Sequence, residues 1–276
     1  MRRKLLILLK RNFIGPSQLS KISYTLMISC PSDAEDEQKV LREHINRWND
    51  VHSERNSIVL LPSFYKTHVP SILAGPEDRR PQAVINEYMI PPSDWLIAIF
   101  KDKLGTPSGK AESGTLEEIE LFRRDNIEKP VSVYFLASCR DEKVMQYKEK
   151  LTGIWKEYKD HGDLGKEFFI NLSQVMHKNT YLRQKFIDTN RKNEERAHIL
   201  LIEIANDSKN IVFVSRLIGQ ELKIETNGCK YIGYEMAFEL LCKRRRIEKA
   251  DPKGELFKLT ELGRQEVDAL KDFSAF

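Results

Sequence analysis

The residues best suited to chemistry are two adjacent carboxylates, Glu117 and Glu118, near the start of a predicted helix. They follow an apolar run at residues 95–100 and a loop rich in glycine, serine and proline. This order predicts a buried strand, a loop and then a helix. Open α/β sheets bind ligands in the loops at the carboxyl ends of parallel strands. A carboxylate held there can stabilise positive charge on a sugar during glycosyl transfer or hydrolysis.

Helical spacing distinguishes the two carboxylates. At about 100° per residue, Leu116 and Ile119 share an apolar face. Glu118 lies at the edge of that face, whereas Glu117 is expected to point nearly opposite it. We therefore predict that Glu118 is the catalytic carboxylate and that the helix N-terminus keeps it ionised. A structural interpretation is also open, because Thr115 and Glu118 fit the S/T-x-x-E capping box.

Further polar and aromatic residues follow the predicted strands. Ser29 lies near the end of the first predicted strand, where a small hydroxyl can donate to a phosphate at a helix N-terminus. Gly105 and Ser113 belong to the loop after the third strand, and Ser113 is expected to orient a ribose or phosphate group. Phe64 or Tyr65, just after the second strand, can stack on a base or ring, with loop anchoring as the alternative. Together these positions predict a nucleotide-type ligand.

The sequence has none of the standard cofactor or metal motifs. It contains neither G-x-G-x-x-G nor GxxxxGK[ST], which argues against the usual dinucleotide and P-loop modes of binding. Its four cysteines include no CxxC pair, and its six histidines show no metal-ligand spacing. We therefore predict no metal and no bound cofactor. The formal charge of +4 is too modest to indicate nucleic-acid binding by itself.

Composition and hydropathy predict a cytoplasmic globular protein. Hydrophobic residues make up 41% and charged residues 31% of the chain, as in soluble domains. Residues 1–22 resemble a signal peptide only superficially, because the apolar run 5–9 is too short and no small-residue cleavage site follows. No later run reaches the roughly 20 apolar residues of a membrane span. We interpret residues 1–22 as a lead-in and expect no membrane contact.

Strand-like and helical patterns alternate through the first two thirds of the chain, which indicates an α/β fold with right-handed crossovers. We predict a flavodoxin-like five-stranded parallel sheet. The predicted strands are 24–30, 57–61, 95–100, 131–136 and, as a fifth candidate, 167–171. The predicted helices are 34–52, 81–88, 115–126, 142–159 and 173–187.

The last third has a different pattern. A polar segment at 188–195 predicts a linker or a helix start, and helices are expected at 197–206 and 233–246. Two extended runs flank a turn at 251–254 before a final helix, which is the outline of a winged helix. We therefore predict a small winged-helix-like α+β domain over 194–276, after an α/β domain over 23–187.

The basic run 243–246 of that second domain ends a predicted helix. Cations are favourable at a helix C-terminus, so the run does not by itself indicate a nucleic-acid site. Helix-turn-helix proteins read bases mainly from the N-terminal part of the recognition helix, and here that part carries Glu235 and Glu239. We expect at most weak, non-specific contact with nucleic acid, and favour self-association or a protein partner through this domain.

Five segments resemble the TIR-like domains of bacterial proteins, within the TIR and nucleoside deoxyribosyltransferase-like superfamily. They are ISCPSD, PQAVINEY, SDWLIAIFKDKLGTP, SGTLEEI and VSVYF, and the resemblance covers about residues 23–187. Members of this superfamily cleave or exchange N-glycosidic bonds with one glutamate on the helix after the third strand. The S-G-T-x-x-E-I pattern places that glutamate at Glu118, with Glu117 as the fallback, and the resemblance adds Asp33 and Gln82 to the pocket.

The resemblance implies a reaction with NAD or a related nucleotide as substrate. The expected chemistry is cleavage of the nicotinamide–ribose bond, or base exchange there, in bacterial antiphage defence or stress signalling. Two other functions remain open: a nucleotide-sensing module without turnover, and a winged-helix DNA-binding regulator. The expected substrate contacts are Ser29, Asp33, Phe64, Tyr65, Gln82, Gly105, Ser113 and Thr115.

Overall fold

The computed structural model describes residues 21–215 and 222–273, which form two compact units. One unit is Ile22–Phe186, and the other contains the described residues from Ile187 onward. The predicted lead-in, 1–22, lies outside the described residues except for its last two, and Ile22 already begins the first strand. None of the helices in the described ranges has the length and apolarity needed to cross a membrane.

The first unit is built on an all-parallel sheet with the strand order β2-β1-β3-β4-β5. Strands β1 and β3 lie side by side, and Ser29 at the end of β1 pairs with Ala98 of β3. After β1 the chain crosses to β2 on one side, and after β3 it crosses to β4 on the other side. A crevice therefore forms between the carboxyl ends of β1 and β3. The strands are β1 (Ile22–Ser29), β2 (Ile58–Ser63), β3 (Trp95–Phe100), β4 (Val131–Leu136) and β5 (Lys156–Tyr158).

Helices cover both faces of this sheet. Because the crossovers of parallel strands are right-handed, the helix that leads from β1 to β2 lies on one face and those that lead to β3, β4 and β5 lie on the other. The helix after β5 packs against the first one. The helices are α1 (Glu35–Asn56), α2 (Tyr65–His68), α3 (Pro81–Met89), α4 (Gly114–Asp125), α5 (Glu142–Lys150) and α6 (His161–Lys178).

The centre of the core is strand β3, whose six residues are all buried. Such a run is apolar on both sides because helices cover both faces of a parallel sheet. Phe122 of α4 and Phe135 of β4 pack in the same core cluster. The predicted strand 95–100 is therefore found with the expected bounds, and it holds the loop after it in a fixed place.

Two predicted elements near the end of this unit are wrong. Residues 167–171 are not a strand but part of α6, where Leu164, Phe168 and Leu172 are buried at a spacing of four residues. The actual fifth strand is the three-residue β5, which carries too little pattern to be recognised. The predicted helix 142–159 ends at Lys150, before this strand.

The second unit contains a separate antiparallel sheet with the order β8-β7-β6-β10-β9. Residues of both its helices and its strands, among them Leu201, Phe238 and Phe257, form one core cluster. Its elements are α7 (Thr180–Asn206, which begins in the first unit), β6 (Ile211–Ser215), β7 (Lys223–Thr226), β8 (Cys229–Tyr231), α8 (Glu235–Lys243), β9 (Ile247–Lys249), β10 (Leu256–Leu259) and α9 (Glu261–Phe273).

This unit corrects the sequence interpretation in two respects. The polar segment 188–195 is neither a linker nor a helix start, because it lies within the continuous helix α7. The strands β6 to β8 were not predicted, whereas the two extended runs around residues 251–254 are confirmed as β9 and β10. The positive φ of Gly254, 74°, explains the glycine in that turn.

Asp94 precedes β3 and so lies at the amino ends of the parallel strands, opposite the crevice. Its carboxylate accepts hydrogen bonds from Thr25 N (2.9 Å) and Tyr181 Oη (2.9 Å), and it pairs with Lys185 Nζ at 2.7 Å. Its role is therefore structural: it fastens the start of α7 to strands β1 and β3 within the first unit.

We predict that Asp94→Ala destabilises the protein by about 2–3 kcal/mol, because it leaves buried donors and a partly buried ammonium unpaired. Chemical denaturation measures this change. Asp125→Ala removes an exposed pair with Arg124 and should change the free energy of unfolding by less than about 0.5 kcal/mol. Equal effects of the two substitutions would contradict the structural role of Asp94.

Candidate active site

The N-terminus of α4 is capped by Ser113. Its hydroxyl accepts the backbone N–H of Leu116 at 3.1 Å, and the helix begins at Gly114. The predicted capping box of Thr115 and Glu118 is therefore wrong, since Thr115 lies inside the helix. Glu118 lies beyond the third helical position, and its carboxylate is free to interact with other parts of the fold.

Three predicted site residues meet at the crevice. The Ser29 hydroxyl donates to Glu118 Oε2, and Gln82 Nε2 donates to Glu118 Oε1 at 2.7 Å. Ser29 ends β1, Gln82 lies in the first turn of α3, and Glu118 belongs to α4. The carboxylate is thus held at both oxygens by donors from two other elements, with only 7% of the residue exposed.

Burial raises the pKa of the Glu118 carboxyl above its ordinary value. The hydrogen bonds from Ser29 and Gln82 act in the opposite direction without cancelling the rise, and the nearby charge of Glu117 adds to it. Burial in low dielectric disfavours the charged form of a carboxyl group. Glu118 therefore takes up a proton at a higher pH than an ordinary glutamate, which opposes the expectation that the helix N-terminus keeps it ionised; shifted pKa values are often found in groups that act in catalysis.

Glu117 has a different environment, and its predicted outward orientation is wrong. Its carboxylate is buried and pairs with Arg80, with Nη1 at 2.7 Å from Oε2 and Nη2 at 3.0 Å from Oε1. Burial alone would raise the pKa of this carboxyl, but the hydrogen bonds, above all that from Arg80, outweigh it and lower the pKa. Glu117 therefore stays ionised as part of an ion pair.

Arg80 uses all five of its N–H groups. Besides Glu117, it donates to both carboxylate oxygens of Asp78 (2.9 and 2.8 Å) and to the Ser108 carbonyl (2.8 Å). A guanidinium offers five donors in a fixed planar arrangement, so these contacts join three segments of chain rigidly. Arg79 is exposed, whereas only 22% of the Arg80 side chain is exposed.

A chain of amides connects this ion pair to Glu118. Asn86 Nδ2 donates to Glu117 Oε1 at 2.9 Å, and Gln82 Nε2, which donates to Glu118, also donates to Asn86 Oδ1 at 3.0 Å. Gln82 and Asn86 are four residues apart and share a face of α3. Gly114 completes the arrangement, because a Cβ there would collide with the Gln82 side chain. Sequence analysis missed Asn86, although its spacing from Gln82 was a usable signal.

The loop residues of the predicted site lie around the same crevice. Asp33 Oδ2 accepts the backbone N–H of Asp102 at 2.9 Å, which ties the loop after β1 to the loop after β3. A Cβ on Gly105, whose φ is 111°, would come within 3.0 Å of Ser113 Cβ. Ser113 and Thr115 are both buried, and Ser113 is used as the cap. These residues shape the crevice wall, and their predicted contacts with substrate remain predictions.

The two aromatic candidates differ from each other. Phe64 is 5% exposed and its ring packs against His68, at a centroid distance of 6.2 Å, which favours the loop-anchor interpretation for this residue. Tyr65 is 39% exposed, so its ring is accessible for stacking. Neighbouring Lys66 pairs with Glu35 of α1, which places this short helix near the start of α1.

Two of the four cations in the basic run 243–246 of the second unit form ion pairs. Arg244 Nη1 donates to Glu194 Oε2 at 2.7 Å, and Arg246 pairs with Glu266. Paired guanidinium groups contribute less free positive charge to phosphate binding. In the described ranges, no group of three or more His, Cys, Asp or Glu residues could hold a metal ion.

No family model matches this chain, and no curated protein is significantly similar to it. The relationship to TIR-like domains therefore remains a proposal, and its support is the site geometry together with the sequence motifs.

We predict that Glu118→Gln is neutral or stabilising at pH 7. The pKa of Glu118 is raised in the folded protein, so above the ordinary glutamate pKa the folded state binds more protons than the unfolded state, and stability falls as pH rises through this window. The substituted amide removes this fall and still accepts from Gln82, while its NH2 can donate to the Ser29 hydroxyl.

Urea denaturation of both proteins between pH 4 and pH 8 measures this difference. The wild-type stability should decline across the range relative to the variant. A loss of stability at pH 7 as large as that of Asp94→Ala would show instead that the Glu118 carboxylate is chiefly a structural group.

Proposed function

We propose that the first unit is a flavodoxin-like, TIR-like domain that cleaves the nicotinamide–ribose bond of NAD or a related nucleotide. The observation that carries this proposal is the buried carboxylate of Glu118, held by Ser29 and Gln82 where β1 and β3 end. The strand order 2-1-3-4-5 is that of flavodoxin-like folds, whose ligands bind at this switch point.

In the proposed reaction the C1′–N bond breaks and its electron pair moves to the pyridinium nitrogen, which leaves as neutral nicotinamide. Glu118 stabilises or attacks the oxocarbenium-like ribosyl centre. A water molecule or another base then bonds to C1′ and displaces Glu118 where it has attacked; a water molecule passes its surplus proton to solvent. Each step balances without an added oxidant or reductant, so NAD is a substrate and not a cofactor.

The protonation behaviour of Glu118 fits this role. A cationic pyridinium ring near a carboxylate favours its ionised form, so substrate binding would offset the burial that raises the pKa of Glu118. The donors from Ser29 and Gln82 further support the charge. A ligand that reaches this carboxylate must displace Gln82 or the loop 101–113, because Glu118 is buried in the structure.

We further propose that the second unit, a winged-helix-like domain, contacts protein, either a partner or a second copy of this chain. The pairing of Arg244 with Glu194 and of Arg246 with Glu266 supports this over DNA reading. A cytoplasmic location and a role in antiphage defence or stress signalling complete the proposal and rest on the family resemblance alone.

Purified full-length protein incubated with NAD should release nicotinamide, measured by chromatography over a range of protein concentrations. Glu118→Gln should reduce release at least about 100-fold, because an amide supplies no charge to the transition state. Glu120→Gln, an exposed change on the same helix, should leave turnover within about twofold.

The outcomes distinguish the possible functions. NAD binding without nicotinamide release would favour a nucleotide-sensing module. Retained turnover in Glu118→Gln, with loss in Glu117→Gln, would move the catalytic role to the neighbouring carboxylate. Salt-dependent binding of one defined duplex sequence would favour the DNA-binding regulator.

We predict that Ser29→Ala moves the acidic limb of the pH–rate profile to higher pH. The Ser29 hydroxyl donates to Glu118 and lowers its pKa, so its removal leaves burial less opposed and the pKa rises further. Profiles of kcat/KM report the pKa of the free enzyme's essential groups. A lower rate with an unchanged limb would contradict this role for Ser29.

A further inference from the structure

Three buried side-chain atoms in the described residues have no hydrogen-bond partner: Asp33 Oδ1, Glu37 Oε2 and the Tyr158 hydroxyl. We call these three residues the Glu37 cluster. They come from the turn after β1, the first turn of α1 and the end of β5. Buried polar groups nearly always have partners in folded proteins, so three exceptions in one neighbourhood require an explanation.

The surrounding contacts place the cluster at the carboxyl edge of the sheet. The other carboxylate oxygen of Glu37 lies 3.1 Å from Lys101 Nζ, just after β3, and 3.3 Å from Nε2 of His161, three residues beyond Tyr158. Asp33 is bonded to the loop after β3 through Asp102. Burial raises the pKa of the Tyr158 hydroxyl, and the charges of Glu37, Asp102 and Asp33 add to it.

The cluster lies across the crevice from Glu118. Glu37 belongs to the helix that leads to β2, and Glu118 to the helix that leads to β4, so the two occupy opposite faces of the sheet. Cys30 follows Ser29, the donor to Glu118, in the chain. Burial raises the pKa of its thiol to about 12, with contributions from the charges of Glu118, Asp33, Glu35 and Glu37.

The three unpaired atoms of the Glu37 cluster call for a ligand with a particular set of donors and acceptors. Two carboxylate oxygens require two donors, and a phenol hydroxyl, 0% exposed in Tyr158, requires an acceptor. A vicinal diol meets all three needs, because each of its hydroxyls donates to one carboxylate and one of its oxygens accepts from the tyrosine. A carboxylate that accepts from a ribose hydroxyl is also the way α/β folds recognise NAD.

We propose that the Glu37 cluster binds the vicinal diol of the ribose distant from the scissile bond, and so selects dinucleotides without a 2′-phosphate. This inference rests on the proposed function and defines the substrate more narrowly. Because Glu118 and the cluster belong to opposite faces of the sheet, the proposal places the ribose of the scissile bond at Glu118 and the second ribose at the cluster. A 2′-phosphate there would remove one donor and bring negative charge against two carboxylates.

The unpaired Tyr158 hydroxyl also predicts how Tyr158→Phe changes the stability of the protein without ligand. A hydroxyl buried without a partner costs stability, so Tyr158→Phe should leave the melting temperature unchanged or raise it while weakening ligand binding. A tyrosine that serves only the fold, through an ordered water, would instead lose stability on this change and leave ligand binding unaffected. The two effects therefore have opposite signs under the two interpretations.

Titration calorimetry on the full chain carrying Glu118→Gln, with NAD and NADP as ligands, tests the proposal. ADP-ribose binding to wild-type protein provides a second measurement, because this ligand has no scissile bond. NAD should bind at least about tenfold more tightly than NADP. Glu37→Gln should weaken NAD binding about tenfold and Tyr158→Phe about threefold. Glu35→Gln, a change in the same turn of α1 at a carboxylate paired with Lys66, should stay within about twofold.

Each outcome decides the matter. Absence of binding by NAD and ADP-ribose would contradict the proposed function, and the ribose subsite with it. Binding of NAD that Glu37→Gln and Tyr158→Phe leave unchanged, or equal binding of NAD and NADP, would overturn the subsite and leave the proposed function standing.

Discussion

The burial of the Glu118 carboxylate between Ser29 and Gln82 is the interaction on which the candidate site depends. It requires β1 and β3 to be neighbours, so that the end of β1 lies beside the helix that follows β3. It also requires a cap other than Glu118, which Ser113 supplies, and a residue without a side chain beside Gln82, which Gly114 supplies. Strand order, helix cap and glycine position thus converge on the environment of a single carboxylate.

Two adjacent glutamates acquire opposite properties from their surroundings. Burial dominates for Glu118 and raises its pKa, whereas the ion pair with Arg80 outweighs burial for Glu117 and lowers its pKa. Pairs of carboxylates whose environments separate their pKa values are typical of sites that divide chemical roles. Here the charged member, Glu117, is fixed in the scaffold, and the amides of Asn86 and Gln82 connect that scaffold to the member that can change protonation state.

The sequence predicts the mixed α/β character, four of the parallel strands and the convergence of Ser29, Gln82 and Glu118, because long apolar runs and a family-like motif carry that information. It does not predict β5, because a strand of three residues carries too little pattern. It also does not predict that residues 167–171 are helical, because the apolar residues of EFFIN suit a buried strand as well as the buried face of a helix. The Arg80–Glu117 pair was also out of reach: its partners are separated by 37 positions, and no local spacing encodes such a contact. Side-chain direction likewise depends on neighbours, which is why helical periodicity misplaced Glu117.

Buried polar groups are paired to different extents at the two ends of the parallel strands. At the amino edge, Asp94 is bonded to Thr25, Tyr181 and Lys185, so its charge is compensated within the fold. At the carboxyl edge, the Glu37 cluster retains unused bonding capacity and Glu118 is buried without a cationic partner among its hydrogen-bond donors. A fold selected only for stability would satisfy both edges equally well. The polar groups without full pairing lie at the carboxyl ends of the strands, where open α/β sheets bind ligands. This asymmetry is the strongest physical reason to regard the crevice as a site.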